Sequence, residues 1–265
     1  MRIATWNINS VRIRIPLLKS LIEQENPDIL CLQETKVVDE LFPLESLKQL
    51  GFGHALFSGQ KSYNGVAILS KVPLQRLQSI RFGDSDDKRH IAALLPDGTA
   101  LHNFYVPAGG DIPDPLENPA YGFKLRFVEH MAEWSKEVKK SGQNTVIVGD
   151  FNIAPLEHDV WSHKQLLNVV SHTPPEVERL DALQAVLGWV DVGRHFVPAE
   201  EKLYSWWSYR NRDWKKSNRG RRLDHIWVTP GLKSALGRYQ SMPHARDWES
   251  PSDHIPILAD IKLAA

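Results

Sequence analysis

Cysteine is nearly absent: Cys31 stands alone among 265 residues. No internal disulfide can form, and no cysteine cluster can hold structural zinc. Cys31 sits in an apolar run, where a thiol packs as a small hydrophobe. No apolar run reaches 18 residues, so no segment reads as a membrane-spanning helix. Net charge is absent too, with 32 Lys+Arg against 32 Asp+Glu. That balance excludes a histone-like polycation and an acidic disordered tail. It leaves nucleic-acid binding open, because a groove responds to the local arrangement of charge. Neither a low-complexity segment nor a composition shift divides the chain, and the first apparent strand begins within a few residues of Met1, so no targeting segment is expected. The expectation is one domain over residues 1–265, in a reducing compartment and away from membranes. What remains is ordinary globular composition, 42% hydrophobic and 24% charged, with an unusually high count of nine tryptophans.

Hydrophobic periodicity predicts many strands and a few helices. Arg2–Ile8 reads as a first strand, and Val11, Ile15, Leu18 and Ile22 follow at helical spacing with Ser10 as N-cap. Ile29–Leu32 is a short buried strand that delivers Gln33 and Glu34 at its end. A helix is expected over Asp39–Leu50, then strands at His54–Ser58, Gly65–Ser70, Leu74–Ile80, Arg89–Leu95 and Thr99–Val106. Asn118-Pro119 starts a long helix. Thr145–Val148 is a second buried strand, ending in Gly149-Asp150-Phe151-Asn152. Leu203–Tyr209 and Leu223–Val228 read as a strand pair around a basic loop, and Pro256–Leu263 as a closing strand. Such a series suggests two packed sheets covered by helices.

Polar residues recur at the ends of the apolar strands: Asn7, Glu34, Asp150, Asn152, Asp224 and Asp253-His254. Singly, an Asp or Asn there is a turn former. Together they are rigidly placed oxygen donors that suit Mg²⁺ or Mn²⁺ and phosphate chemistry. A second feature is Arg210–Arg222, in which seven of thirteen residues are Lys or Arg. Trp206, Trp207, Tyr209 and Trp214 are interleaved with it. Aromatics beside guanidinium groups suit base stacking and phosphate contact, although a charged loop is often merely solvated. At least one of Trp206 and Trp207 must face inward if the segment is a strand.

Motifs running almost end to end carry a resemblance. They are TWNINSVR at 5–12, PDILCLQETK at 27–36, GQKSYNGVAILSK at 59–71, NFYVPAGGD at 103–111, VGDFNIAP at 148–155, GWVDVGR at 188–194, NRGRRLDHI at 218–226 and PSDHIP at 251–256. The chain resembles the exonuclease III family of bacterial abasic-site endonucleases, within the endonuclease/exonuclease/phosphatase superfamily. The resemblance implies an α/β fold: a four-layer sandwich of two packed mixed β-sheets flanked by helices. It also implies a Mg²⁺-dependent phosphodiesterase that incises duplex DNA 5′ to abasic sites and processes 3′ ends as a 3′→5′ exonuclease and 3′-phosphodiesterase or phosphatase. By the same likeness the protein is expected to be a monomer in a bacterial cytoplasm.

Carried over residue by residue, Glu34 looks like the principal metal carboxylate, with Asn7 and Asp253 beside it and Asp150 and Asn152 close. Asp150 also matches the group that orients or deprotonates the attacking water, and Asn152 a donor near that water. His254 matches a histidine on the scissile phosphate, Asp224 its hydrogen-bond partner, and Tyr105 a phosphate-site tyrosine. Whether Asp150 or the Asp224–His254 pair accepts the proton is open at this level, as is the choice of one metal or two. Trp206 and Leu223 match the walls of a pocket for a flipped-out, base-less sugar. Arg210, Lys215, Lys216, Arg219 and Arg221 are the expected backbone contacts, with Trp161, His163 and Lys164 as weaker ones. Two departures stand out. Ala108-Gly109-Gly110 replaces a common Asn or Gln after Tyr105-Val106-Pro107, and Arg221 stands where relatives often carry an apolar or aromatic residue. Rival readings are a phosphoesterase acting on a non-DNA ester and a DNA-binding relative with inactive chemistry.

Overall fold

A computed structural model describes residues 1–82, 85–211 and 213–263. Two six-stranded sheets form the body. The strands of the first are β1 (Arg2–Asn7), β2 (Ile29–Gln33), β3 (His54–Ser58) and β4 (Val66–Ser70), with β13 (Leu236–Ser241) and β14 (Ile257–Ile261). Those of the second are β5 (Gln75–Arg76), β6 (His90–Leu94), β7 (Ala100–Tyr105), β8 (Thr145–Asp150), β9 (Val190–Asp191) and β12 (Asp224–Val228). A short third ribbon pairs β10 (Trp206–Trp207) with β11 (Gly220–Arg221). The orders are β13-β14-β1-β2-β4-β3 and β5-β6-β7-β8-β12-β9.

Strand alternation sorts the side chains into layers. Ile3, Ile29, Cys31 and Ile68 from the first sheet meet Ile91, Leu101, Val146, Val148 and Ile226 from the second in one buried cluster. Their neighbours Ala4, Trp6, Leu30 and Leu32 point the other way, onto Leu17, Leu18 and Leu21 of the Ile15–Glu25 helix. On the far side, Phe104, Ile147 and Trp227 pack against Phe127, Val128 and Met131 of the Pro119–Ser141 helix and Leu180 and Leu183 of the Pro174–Leu187 helix. The result is the expected four-layer α/β sandwich. Cys31 is fully buried, and burial pushes its thiol pKa up, so it is a packing residue.

Several local expectations need correction. Ser10 does not cap the first helix, which begins at Ile15 with Pro16 in its first turn, where a missing N–H costs nothing. Pro43 splits the expected Asp39–Leu50 helix into a 3₁₀ turn, Asp39–Leu41, and a helix, Leu44–Gln49. Only Gln75–Arg76 of Leu74–Ile80 is paired. The expected pairing of 203–209 with 223–228 is wrong. β10 pairs with β11, while β12 leaves that ribbon and inserts between β8 and β9. Arg222 marks the divergence: its guanidinium is clamped by Asp159 at 2.8 Å and by Asp191 at 2.7 Å.

Candidate active site

Sheet register brings the strand-end polar residues together. β1 and β2 run parallel and end at Asn7 and Gln33, so Glu34 follows directly beside Asn7. β7 and β8 also run parallel, with Tyr105 opposite Asp150, and β12 starts antiparallel with Asp224 opposite Asp150. Tyr105, Asp150 and Asp224 are therefore side by side on three adjacent strands. A buried clamp ties the two sheets beneath them. Gln33 Nε2 donates to Asn103 Oδ1 at 2.6 Å, and Asn103 Nδ2 donates to the carbonyls of Leu32 and Ala67, each at 2.9 Å. Glu34 (φ 52°), Lys36 (φ 52°) and Asn152 (φ 53°) sit in the left-handed region, which a side chain occupies at a cost. Such strain clusters where a site needs particular directions.

Asn7 Nδ2 bridges two carboxylates, donating to Glu34 at 2.8 Å and Asp150 at 2.9 Å. Asp150 also accepts the Asn152 backbone N–H at 2.9 Å and its Nδ2 at 3.2 Å. Burial pushes the Asp150 carboxyl up, against the imidazolium of His254 and the Asn7 donor, which favour its ionised form. His254 Nδ1 donates to Asp224 Oδ2 at 2.8 Å, and its Nε2 lies 3.6 Å from Asp150 Oδ2. Burial alone would lower this imidazole's pKa; Asp224 and Asp150 overcome that and raise it. Asp224 is itself placed by Ser205 Oγ, which accepts the N–H groups of Leu223 and Asp224 at 3.0 and 2.9 Å. The Tyr105 phenol is held well above its usual range by burial and by Glu34 and Asp150, so it stays protonated and able to donate.

Asp253 stands across the site, accepting Trp206 Nε1 at 2.9 Å and Asn9 Nδ2 at 3.1 Å. Four carboxyl groups, those of Glu34, Asp150, Asp224 and Asp253, thus face two cations, His254 and the Lys36 ammonium 2.7 Å from Glu34. Asp224 Oδ1 is buried without a hydrogen-bond partner. An all-oxygen carboxylate and amide set with surplus negative charge fits a hard divalent cation. Asp150, Asp224 and His254 also bring ligand-type atoms within 4.8 Å of one another. His254 is already engaged by two carboxylates there, which favours the Glu34–Asp150 side for the ion.

These groups open into a cavity of about 610 Å³. Trp206, Leu223 and Trp161 line one wall, and Arg210, Arg219 and Arg221 lie around it. Arg219 lies over the Trp161 ring at 4.6 Å and Arg221 over Trp206 at 5.2 Å. Trp207 is the inward member of its pair, 3% exposed. The basic segment does not act as one unit. Arg222 is buried in its two ion pairs, Arg221 is inside the cavity wall, and Arg210, Lys215, Lys216 and Arg219 are exposed. Lys215 pairs with Asp247 at 2.8 Å, and Arg212 lies outside the described residues. Of the weaker candidates, Trp161 lines the cavity; His163 is hydrogen-bonded to His172 at 2.8 Å and Lys164 is exposed.

Sequence reasoning missed the supports: half-buried Lys36, and buried Asn103, Ser205 and, above all, Lys124 with Glu176. The Lys124 ammonium bonds to Asn152 O at 2.7 Å, to Ala108 O at 3.2 Å and to the Glu176 carboxylate. Where relatives often carry an amide side chain, Ala108 therefore turns its carbonyl toward a buried cation. Gly109 and Gly110 follow with φ of 88° and 70°. The pattern that could have found Lys124 is its place among buried Tyr121, Leu125 and Val128 on the inner face of its helix.

A strained, carboxylate-rich site at one end of a four-layer sandwich defines a phosphoesterase that works with a metal ion. A sequence profile of the endonuclease/exonuclease/phosphatase family matches residues 4–254, and the chain belongs to that family. It is 33% identical over 276 residues to exodeoxyribonuclease III of Haemophilus influenzae, covering 99% of this chain and 100% of that one. Among solved structures, an AP endonuclease from Archaeoglobus fulgidus superposes with TM-score 0.89 at 33% identity, covering 99% of both chains. The 3′ phosphatase NExo from Neisseria, bound to a product DNA hairpin, superposes with TM-score 0.88 at 32% identity, again over 99% of both.

Proposed function

We propose that the chain is a Mg²⁺-dependent DNA-repair phosphodiesterase that cuts duplex DNA 5′ to abasic sites and clears blocked 3′ ends. One juxtaposition carries the reading: the Asp224–His254 pair and the Asn7-bridged carboxylates face a cavity walled by Trp206, Leu223 and Trp161. Glu34 and Asp150, with Asn7, Asn152 and Asp253 around them, would hold the ion, which supplies Lewis-acid neutralisation of the phosphate when bound. His254, kept protonated by Asp224, donates to a non-bridging oxygen. Asp150, ringed by donors, takes up or orients the proton of the attacking water. Tyr105 donates to the phosphate. The apolar wall of Trp206, Leu223 and Trp161 accepts a sugar that has no base, and flipping is cheapest where no base is stacked or paired. Exposed Arg210, Lys215, Lys216 and Arg219 contact the backbone without reading sequence.

The test is a duplex carrying one tetrahydrofuran abasic analogue, incubated with Mg²⁺ or with EDTA. Incision 5′ to the analogue is expected only with Mg²⁺, leaving a 3′ hydroxyl. Asp150→Asn should cut incision by more than ~100-fold while duplex binding persists. No incision at high protein concentration with Mg²⁺ would overturn the reading; turnover of a non-DNA phosphate ester instead would transfer the site to that substrate class.

A further inference from the structure

Arg221 and Arg222 are adjacent in sequence and opposite in circumstance. Arg222 is neutralised by two carboxylates. Arg221 has no carboxylate within ion-pair distance among the described residues. Its protein hydrogen bonds run through Nη1 alone, to two neutral acceptors, Val170 O at 3.0 Å and Ser171 Oγ at 2.8 Å. Its Nε is buried with no partner. The one carboxylate that acts on it electrostatically, Glu176, is already taken by Lys124. Its guanidinium carbon lies over the Trp206 ring, 5.2 Å from the centroid, at the cavity wall. A largely desolvated arginine with spare N–H groups and no counter-charge is a receptor for an anion, most strongly a carboxylate or phosphate met edge-on. Burial also pulls its pKa down, the mark of a cation that lacks compensation.

Resting on the nuclease reading above, we propose that Arg221 selects 3′ blocking groups that carry their own carboxylate, such as the phosphoglycolate left by sugar oxidation. The scissile phosphate sits against His254, and the group beyond it enters the cavity beside Trp206 and Leu223. A neutral base-less sugar offers Arg221 nothing to neutralise it, whereas a glycolate carboxylate does. The chemistry is the same hydrolysis: water oxygen bonds to phosphorus, the bond from phosphorus to the 3′ oxygen breaks, and that oxygen leaves with a proton. The products are a 3′ hydroxyl and free phosphoglycolate. A 3′ phosphate undergoes the same step with no group in the cavity, which makes it the internal reference.

The experiment measures kcat/KM on three duplexes, ending in 3′ phosphoglycolate, ending in 3′ phosphate, and carrying internal tetrahydrofuran. Wild type is compared with Arg221→Leu and Arg221→Gln; the glutamine keeps a polar N–H donor without the charge. In both variants the glycolate-to-phosphate ratio should fall about 10- to 100-fold, the scale of a lost charge-assisted hydrogen bond. A ratio unchanged within about 2-fold overturns the proposal. So does an equal fall on glycolate and tetrahydrofuran duplexes, which would make Arg221 a backbone contact. If wild type processes none of the three, the nuclease reading itself fails.

Discussion

Replacing Lys124 by methionine tests how the site is held. The ammonium is 0% exposed and has three acceptors for three N–H groups: Glu176, Asn152 O and Ala108 O. Glu176 in turn accepts the Ser171 N–H at 2.8 Å, the Thr173 N–H at 3.1 Å and the Thr173 hydroxyl at 2.7 Å. One ion pair therefore ties the 106–110 loop, the 150–152 turn and the 171–173 loop, three walls of the cavity. Lys124→Met leaves the carboxylate without its cation and two carbonyls without a donor. Breaking a buried pair costs about 3–5 kcal/mol. Glu176 retains its other donors, which places the expected loss near the lower figure, about 3 kcal/mol. At about 2–4 °C per kcal/mol for a domain of this size, Tm should drop by about 6–12 °C.

A double-mutant cycle with Glu176→Gln isolates the pair. Each single change strands a buried group, so each should cost about 3 kcal/mol. The double variant should cost little more than either, a coupling of about 2–3 kcal/mol. Urea unfolding at constant m measures this, and kcat on the abasic duplex is followed in parallel. Methionine at 124 should also slow turnover about 10-fold, because Asn152 loses the support of its carbonyl, and Glu176→Gln less so. Additive costs, with coupling below about 0.5 kcal/mol, would refute the claim that the pair acts as one unit.

Three further outcomes follow from the geometry. Burial lowers His102 to about 3, and burial with Arg222 nearby lowers His225 to about 4. Unfolded histidine takes up a proton near 6.5, so between pH 6.5 and 4 the unfolded chain binds more protons and stability falls on acidification, by about 1.4 kcal/mol per pH unit for each group; urea midpoints that are flat from pH 7 to 4.5 would contradict this. Lys215→Ala with Lys216→Ala should reduce the slope of log binding constant against log salt by about 1.8; an unchanged slope means that neither lysine meets a phosphate. Gly149→Ala should abolish the soluble folded protein, because a Cβ there would lie 1.9 Å from the Phe104 carbonyl oxygen at φ +138°; a wild-type melting curve would refute it.

The layers were legible because β1, β2 and β8 are short, mostly apolar runs whose successive residues pack to opposite sides, Ile29 and Cys31 inward and Leu30 and Leu32 outward in β2. Where that pattern weakens, sequence reading failed for identifiable reasons. β13 is an edge strand of mixed burial, broken by a register shift between Leu236 and Arg238, and no strand was expected there. The wrong pairing of 203–209 with 223–228 joined two runs that look alike. What separates them is the Arg222 anchor to Asp159 and Asp191, partners 63 and 31 residues away in the chain. No local pattern encodes that contact.

At the site, residues at strand ends were legible because the strand periodicity itself places them. The Lys124–Glu176 support was not, because a charged residue inside a helix reads as solvated surface by default. Lys124 breaks that default, and so does the difference between Arg221 and Arg222. In the sequence these two are one basic dipeptide within a segment of seven Lys and Arg residues. In the fold one is neutralised by Asp159 and Asp191, and the other is left without a counter-charge beside the cavity. The formal charge of zero therefore conceals unequal pairing. Glu34, Asp150, Asp224 and Asp253 outnumber the cations among them, while Arg210, Arg219 and Arg221 around the cavity lack carboxylate partners within ion-pair distance among the described residues. On the proposed reading, a surplus of carboxylates at the centre would draw a metal ion, and a surplus of guanidinium groups around it would draw phosphates. The two surpluses cancel in composition and add in function.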